Sequence, residues 1–319
     1  MPDSTARKRA LSYLATAALI GLVLVFTRRQ WPEFANIRRM SLPAVAWLSV
    51  LFVGTAACNG YSLKLFAAAF GVRLRVSEWF GLECVRAFVN YLPLSAGLAY
   101  SAAYLKTKNN LPVTKYVSLS AGSTLLMLLG FGGWGTLLLA AQYAAGGELN
   151  IILLGVSLAF VAAGLGALLV PLPAAAPNRR LFKWIMSIRD GWALIRGNGP
   201  LLLKIVALQT LILTLLSLRF LIIFRELGYP LNVTGVVLLT IMTTLIRFSS
   251  LLPGNLGVRE AIAGGVTASF GLTFSSGFLA GVIDRLVAMV WIFVLGIIFS
   301  VALANRPAGD NNHSTGRAA

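Results

Sequence analysis

Phe88-Val89-Asn90-Tyr91-Leu92-Pro93-Leu94-Ser95-Ala96-Gly97 and Phe248-Ser249-Ser250-Leu251-Leu252-Pro253-Gly254-Asn255-Leu256-Gly257 are two copies of one pattern, Phe-x-x-x-Leu-Pro-x-x-x-Gly. A second string precedes each copy. Gly71-Val72-Arg73-Leu74-Arg75-Val76-Ser77 and Gly228-Tyr229-Pro230-Leu231-Asn232-Val233-Thr234 both read Gly-x-x-Leu-x-Val-Ser/Thr. Two matches in the same order mark an internal duplication. Pro and Gly break helices, and unwound backbone at membrane depth is tolerated only where it lines a cavity. Breaks at corresponding points of two apolar halves therefore point to a transport site.

The surroundings of both copies are a membrane protein's. Hydrophobic residues make up 58% of the chain and charged residues 12%, with a mean hydropathy of +0.82, outside the range of soluble domains. Apolar spans run over residues 11–27, 42–70, 113–143, 151–173, 201–224 and 274–303, each near or above the roughly 20 residues that a spanning helix needs. The first follows Arg7-Lys8-Arg9 but is succeeded by Thr27-Arg28-Arg29-Gln30 in place of a small-residue cleavage site, so it reads as a retained helix and not a signal peptide. Segments 77–105 and 233–270 are apolar but interrupted near the middle, and each reads as a helix-break-helix hairpin. Arms of about 14 residues in the first hairpin reach about 21 Å, short of the roughly 30 Å hydrocarbon core, so it re-enters; the longer first arm of the second leaves a full crossing pair open.

The predicted fold is an all-α polytopic membrane protein: six spanning helices plus two Pro/Gly-broken hairpins in an inverted internal repeat. One membrane domain covers residues 1–304, with repeat halves at about 42–173 and 201–304, a cytoplasmic connector at 174–200 that reads as amphipathic or as a solvated linker between the halves, and a disordered polar tail at 305–319. Orientation comes from loop charge. Lys106, Lys108 and Lys115, then Arg179, Arg180, Lys183, Arg189 and Arg196, mark cytoplasmic loops, whereas Gly146-Gly147-Glu148 carries no base. Three crossings separate the span ending near Phe70 from the one ending near Phe224, so the two copies are inverted and their hairpins enter from opposite sides. Arg28, Arg29, Arg38 and Arg39 fall in a loop that this count puts outside. Beside Trp31 and Pro32 they read as an interfacial segment meeting anionic headgroups, unless the count shifts by one helix.

The net charge of +17 follows from these loop bases, not from nucleic-acid binding. Cys58 and Cys84 are too few and too apolar in setting for a disulfide scaffold or a zinc site, and His313, the one histidine, lies in the polar tail. No cofactor and no metal is expected. Histidine-based acid-base and nucleophilic chemistry inside the membrane is excluded.

Charges that interrupt apolar segments are functional candidates, because each costs several kcal/mol unless paired or hydrated. Glu83, Arg86 and Asn90, spaced three and four apart, share one face of the first arm leading to Pro93 and Gly97. Around the second break stand Arg247, Pro253, Gly254, Asn255, Gly257, Arg259 and Glu260, with Asp284 and Arg285 in the last span. Helices starting after Pro93 and Gly254 add partial positive charge and free N–H donors that suit phosphate or carboxylate. The competing reading makes Glu83 with Arg86, and Arg259 or Arg285 with Glu260 or Asp284, structural ion pairs between helices. Lys64 and Arg219 are weaker candidates, because either can snorkel to an interface near the end of its helix, although their recurrence in Ser-Leu-Lys/Arg strings at 62–64 and 217–219 raises them. Gly130, Gly132, Gly133, Gly135, Gly164 and Gly166 are expected to mark close helix packing.

Leu251-Leu252-Pro253-Gly254-Asn255-Leu256-Gly257-Val258-Arg259-Glu260-Ala261, followed by Asp284-Arg285, resembles the signature of the lysylphosphatidylglycerol synthase transmembrane region family. The resemblance extends over almost the whole chain in helix count and in the placing of both breaks. It implies a flippase-like function, translocation of a phospholipid such as an aminoacylated phosphatidylglycerol, in a bacterial inner membrane. At the first break the family pattern continues Leu-Pro-x-Arg-x-Gly-Glu-x-x-Arg, whereas Ser95, Leu98 and Ser101 stand at its Arg, Glu and Arg positions here, so that headgroup site is altered. No aminoacyltransferase domain is expected after Leu303. Lysine transfer is then not this chain's reaction, and a lipid-modifying enzyme is a partner at most. The expectation is a non-enzymatic lipid translocase whose partner is a membrane phospholipid with an anionic headgroup. A small-solute secondary transporter is the alternative that the inverted duplication equally allows, and a membrane-embedded enzyme on lipid-linked substrates lacks its carboxylate cluster or histidine.

Overall fold

In the computed structural model, residues 40–91, 97–169, 193, 197–245 and 257–305 are described. Nine α-helices and no strand are found among them: α1 (Leu42–Ala69), α2 (Val76–Val89), α3 (Gly97–Asn109), α4 (Val113–Ala144), α5 (Ile151–Leu169), α6 (Gly199–Glu226), α7 (Val233–Leu245), α8 (Val258–Ala268) and α9 (Phe274–Ala304). Four of these, α1, α4, α6 and α9, are long and apolar enough to cross a membrane. At 28 to 32 residues each they span roughly 42 to 48 Å, so they exceed the hydrocarbon core. The predicted span 151–173 is described as a 19-residue helix to Leu169, and the predicted span 11–27, the connector and the tail lie outside the described residues.

Local chemistry explains where the helices begin. Asn150, Asn198 and Asn232 accept from the N–H of Leu153, Leu201 and Gly235 at 3.1, 3.1 and 2.7 Å, capping α5, α6 and α7. α2 is closed differently: the Arg75 N–H donates to Glu78 Oε2 at 2.7 Å, and the other Glu78 oxygen accepts from Asn109 Nδ2 at 3.5 Å. Glu78, 2% exposed, thus ties the start of α2 to the end of α3.

Both halves repeat one succession: long helix, left-handed glycine, short helix, motif, short helix, left-handed residue, long helix. Gly71 and Gly228, matched in the sequence repeat, have φ of 77° and 75°. Each ends its long helix with the same bond, Val72 N–H to Ala67 O at 3.0 Å and Tyr229 N–H to Phe224 O at 2.9 Å. This six-to-one closure needs a left-handed residue, which glycine adopts without a Cβ penalty. Asn110 (φ 53°) and Gly271 (φ 79°) take the corresponding place after α3 and α8.

The chain divides into two compact units. One comprises Ser49–Leu218 and Ala288–Ala319. In it α2 packs on the end of α9 through reciprocal Gly–aromatic contacts: Phe299 lies against Gly81, and Phe88 against Gly296. Phe88, the first residue of the repeated motif, also meets the Phe293 ring edge-on at 5.5 Å, which fixes the outer end of the hairpin arm. Gly132 on α4 faces Ser157 and Val161, and Gly164 on α5 faces Leu129, as expected of close packing; among the described residues nothing beyond their own helix comes within 4 Å of where a Cβ would stand at Gly130, Gly133 and Gly166. The other unit comprises Met1–Leu48 and Arg219–Val287. There α9 presents Gly277 and Gly281, one turn apart, to α8: Gly277 lies on Ala263 and Thr267, and Gly281 on the Glu260 backbone. This Gly-x-x-x-Gly approach sets α8 and α9 close enough for their charged side chains to meet.

Candidate functional site

Arg259 and Glu260 sit in the first turn of α8, directly after Gly257, whose φ of 80° turns the chain into the helix. Asp284 and Arg285 project from α9 one turn beyond Gly281. The Asp284 carboxylate is held by two guanidinium groups, Arg219 Nη2 at 2.6 Å from Oδ1 and Arg259 Nη2 at 2.6 Å from Oδ2. Arg219 donates in addition to the Asp284 main-chain carbonyl at 3.1 Å. Beside them Arg285 Nε lies 2.5 Å from Glu260 Oε1, and Glu260 Oε2 accepts from the Gly257 N–H at 2.9 Å. Among the described residues the cluster therefore joins three guanidinium groups to two carboxylates.

Burial makes the cluster costly to build. Side-chain exposure is 4% for Arg219, 1% for Asp284, 8% for Arg285 and 4% for Glu260, whereas Arg259 retains 21%. Charges this deep are kept only when each finds a partner, and the interlocked pairs supply them. Arg259 also rests over the Phe220 ring, its guanidinium carbon 5.8 Å from the centroid.

In the other unit, Glu83 and Arg86 pair at 2.5 Å on α2, with 12% and 35% exposure. Arg86 also lies beside Tyr116 of α4. Asn90 Oδ1 accepts from the Gly97 N–H at 3.0 Å and so ties the end of α2 to the start of α3 across the motif. Gly97 is pressed so close to the Arg86 carbonyl and to Asn90 that a Cβ would collide with both.

The structure brings together Gly257, Arg259, Glu260, Asp284 and Arg285 in one unit, and Glu83, Arg86, Asn90 and Gly97 in the other. Pro93, Arg247, Pro253, Gly254 and Asn255 lie outside the described residues. Two expectations are corrected. Arg219 does not snorkel: it is 3% exposed and is the second ligand of Asp284. The signal that could have found it is the pairing of Ser217-Leu218-Arg219 with Ser62-Leu63-Lys64, together with the unmatched Asp284 in the last span. The N–H groups of Gly97 and Gly257 are not free donors, because Asn90 and Glu260 occupy them. The ion pairs anticipated as structural do form, and both describe the same side chains.

Comparison with known proteins bears on the family of the chain. A UPF0104 membrane protein of Methanothermobacter thermautotrophicus is 33% identical over 101 residues, which are 29% of this chain and 29% of the relative, so the match spans under a third of that protein's length. No solved structure matches the chain. The family described as "Lysylphosphatidylglycerol synthase TM region" matches residues 10–296. With only helices among its described residues, spanning helices of its own and a match over nearly its whole length, this multi-pass integral membrane protein belongs to the lysylphosphatidylglycerol synthase TM region family.

Proposed function

We propose that the chain is a lipid translocase that moves an anionic or aminoacylated phospholipid, or a lipid-linked headgroup, between leaflets. The observation that carries this reading is the buried cluster at the start of α8. Among the described residues its guanidinium groups number three and its carboxylates two, and its most exposed member, Arg259, stands in the first turn of a helix beside the second break. A phosphate is the ligand that this charge excess and the positive helix end both favour. Family membership supports a lipid cargo, because the family takes its description from an enzyme of phosphatidylglycerol modification.

In this reading Arg259 and Arg247 bind phosphate oxygens, Pro253, Gly254 and Asn255 shape the break, and Glu260 and Arg285 hold α8 to α9. Glu83, Arg86 and Asn90 form the polar track of the first hairpin, and acyl tails stay in lipid. Loop charges support opposite topology for the two halves, with six spans and two hairpins, which gives a pathway open to each side in turn. The chain works as a translocase without a reaction of its own, in a bacterial inner membrane, where a lipid-modifying enzyme would supply its cargo.

Proteoliposomes test the reading. Purified protein should speed the exchange of labelled phosphatidylglycerol between leaflets without taking up water-soluble anions, and Pro253→Ala should slow the exchange. Solute uptake without lipid movement would give the site to a small-solute transporter instead.

A further inference from the structure

We infer that the two turns flanking the first hairpin form a basic platform that gathers anionic phospholipid headgroups from the leaflet at that end, with Arg73, Lys106 and Lys115 as its cations. The platform stands apart from the cluster at the start of α8, and it holds whether the chain moves a lipid or a solute.

Two stretches far apart in sequence build it. Residues 70–75 join α1 to α2, and residues 110–112 join α3 to α4. Leu74 from the first and Leu111 from the second are buried in one apolar core with Leu105 and Tyr116. Glu78 stitches the same corner, accepting from the Arg75 N–H and from the Asn109 amide. A third tie is the Lys115 ammonium, in the first turn of α4, which lies 5.1 Å from the centre of the Phe70 ring at the end of α1. Arg73, Lys106 and Lys115 are exposed at this one end of the unit, where Arg75 and Lys108 also stand.

Depth puts this end among headgroups. α1 and α4, of 28 and 32 residues, outrun the hydrocarbon core, so the end of the one and the start of the other reach the level of the phosphates. Outward charge there is of one sign. Among the described residues of this unit the carboxylates are Glu78, Glu83 and Glu148. Glu78 is 2% exposed, Glu83 lies two turns into α2 and pairs with Arg86, and Glu148 follows the far end of α4. Arg73, Lys106 and Lys115 enter no ion pair among the described residues.

The second half supplies an internal control. Gly228 closes α6 with the same six-to-one bond by which Gly71 closes α1, and Gly271 stands where Asn110 does. Yet residues 228–232 and 269–273 contain no charged side chain, and Arg225 beside Glu226 adds no net charge. These turns therefore fold without bases, and those at 73, 106 and 115 act on what lies outside the chain. Loop bases orient a chain during insertion, but their field persists afterwards, and anionic lipid is the counter-charge available at that depth.

Spin-label electron paramagnetic resonance on the full chain in phosphatidylcholine bilayers tests this, because it reads how strongly the protein retains a labelled lipid at its surface. With spin-labelled phosphatidylglycerol and phosphatidylcholine as probes, wild type should prefer the anionic lipid about twofold or more at low salt. The preference should fall toward parity in about 1 M salt, where charges are screened within a few ångströms. Arg73→Gln/Lys106→Gln/Lys115→Gln should lose about half or more of the excess over parity. The charge-keeping Arg73→Lys/Lys106→Arg/Lys115→Arg, and Arg225→Gln in the other half, should match wild type. All four positions are exposed, so the variants should fold, and the salt series needs no variant. A salt-sensitive preference that the glutamine variant loses, in a protein that moves no lipid between leaflets, would keep the platform and retire the translocase reading. No preference in wild type, a preference that survives high salt, or one that the glutamine variant retains in full would overturn the platform.

Discussion

Gly97 and Gly257 close the two copies of one motif and are glycine for different reasons. Gly97 lies against the Arg86 carbonyl and Asn90, where a side chain has no room, whereas Gly257 has a φ of 80°, where a side chain has the wrong backbone. Asparagine tolerates left-handed backbone far better than a β-branched residue does, but it is no smaller than alanine. Gly257→Asn should therefore keep a higher thermal midpoint in detergent than Gly257→Val, by the equivalent of about 1–2 kcal/mol. At position 97 both substitutions should be damaging. Equal tolerance at the two sites would contradict the assignment.

The contact between α8 and α9 depends on Gly277 and Gly281. Gly277→Leu must push α8 away at Ala263 and Thr267, and overpacking of this kind costs about 1–3 kcal/mol. Because Arg285 reaches Glu260 across the same contact, a double-mutant cycle between positions 260 and 285 should lose its coupling in the Gly277→Leu background.

Glu260 and Arg285 form a pair with side-chain exposures of 4% and 8%. Glu260→Gln keeps an acceptor for the Gly257 N–H but takes the carboxylate charge away from the buried Arg285, at a cost of up to about 3–5 kcal/mol. Glu260→Gln/Arg285→Met removes both charges and should recover most of that loss. Unfolding midpoints of the two variants decide the point, and a double variant no better than the single would mean that the bond and not the lost carboxylate charge matters.

Glu78 fastens the base of the first hairpin. Glu78→Ala should lower stability by about 1–2 kcal/mol and speed hydrogen exchange at the Arg75 amide, while Glu78→Gln retains an acceptor there and should lie close to wild type.

Much of this architecture is legible in the sequence because hydropathy reports length and Gly reports backbone. The expected spans at 42–70, 113–143, 201–224 and 274–303 correspond to α1, α4, α6 and α9, and the matched Gly71 and Gly228 are left-handed helix ends. Partner choice is not legible in this way. α6 is apolar on all sides around Arg219, so periodicity cannot say whether that side chain faces lipid or the interior. Only the position of Asp284 in three dimensions decides it. Likewise Asn90 reads as part of a polar track, but its oxygen is committed to Gly97, a bond that requires knowing how closely α3 returns to α2.

The most direct test is the rate of phosphatidylglycerol exchange between leaflets of proteoliposomes containing wild type, Arg259→Lys or Arg259→Ala. Loss of a charge-assisted bond predicts a fall of about tenfold or more for Arg259→Ala, with Arg259→Lys between the two. Equal exchange rates for wild type and Arg259→Ala would contradict an anion site at the start of α8.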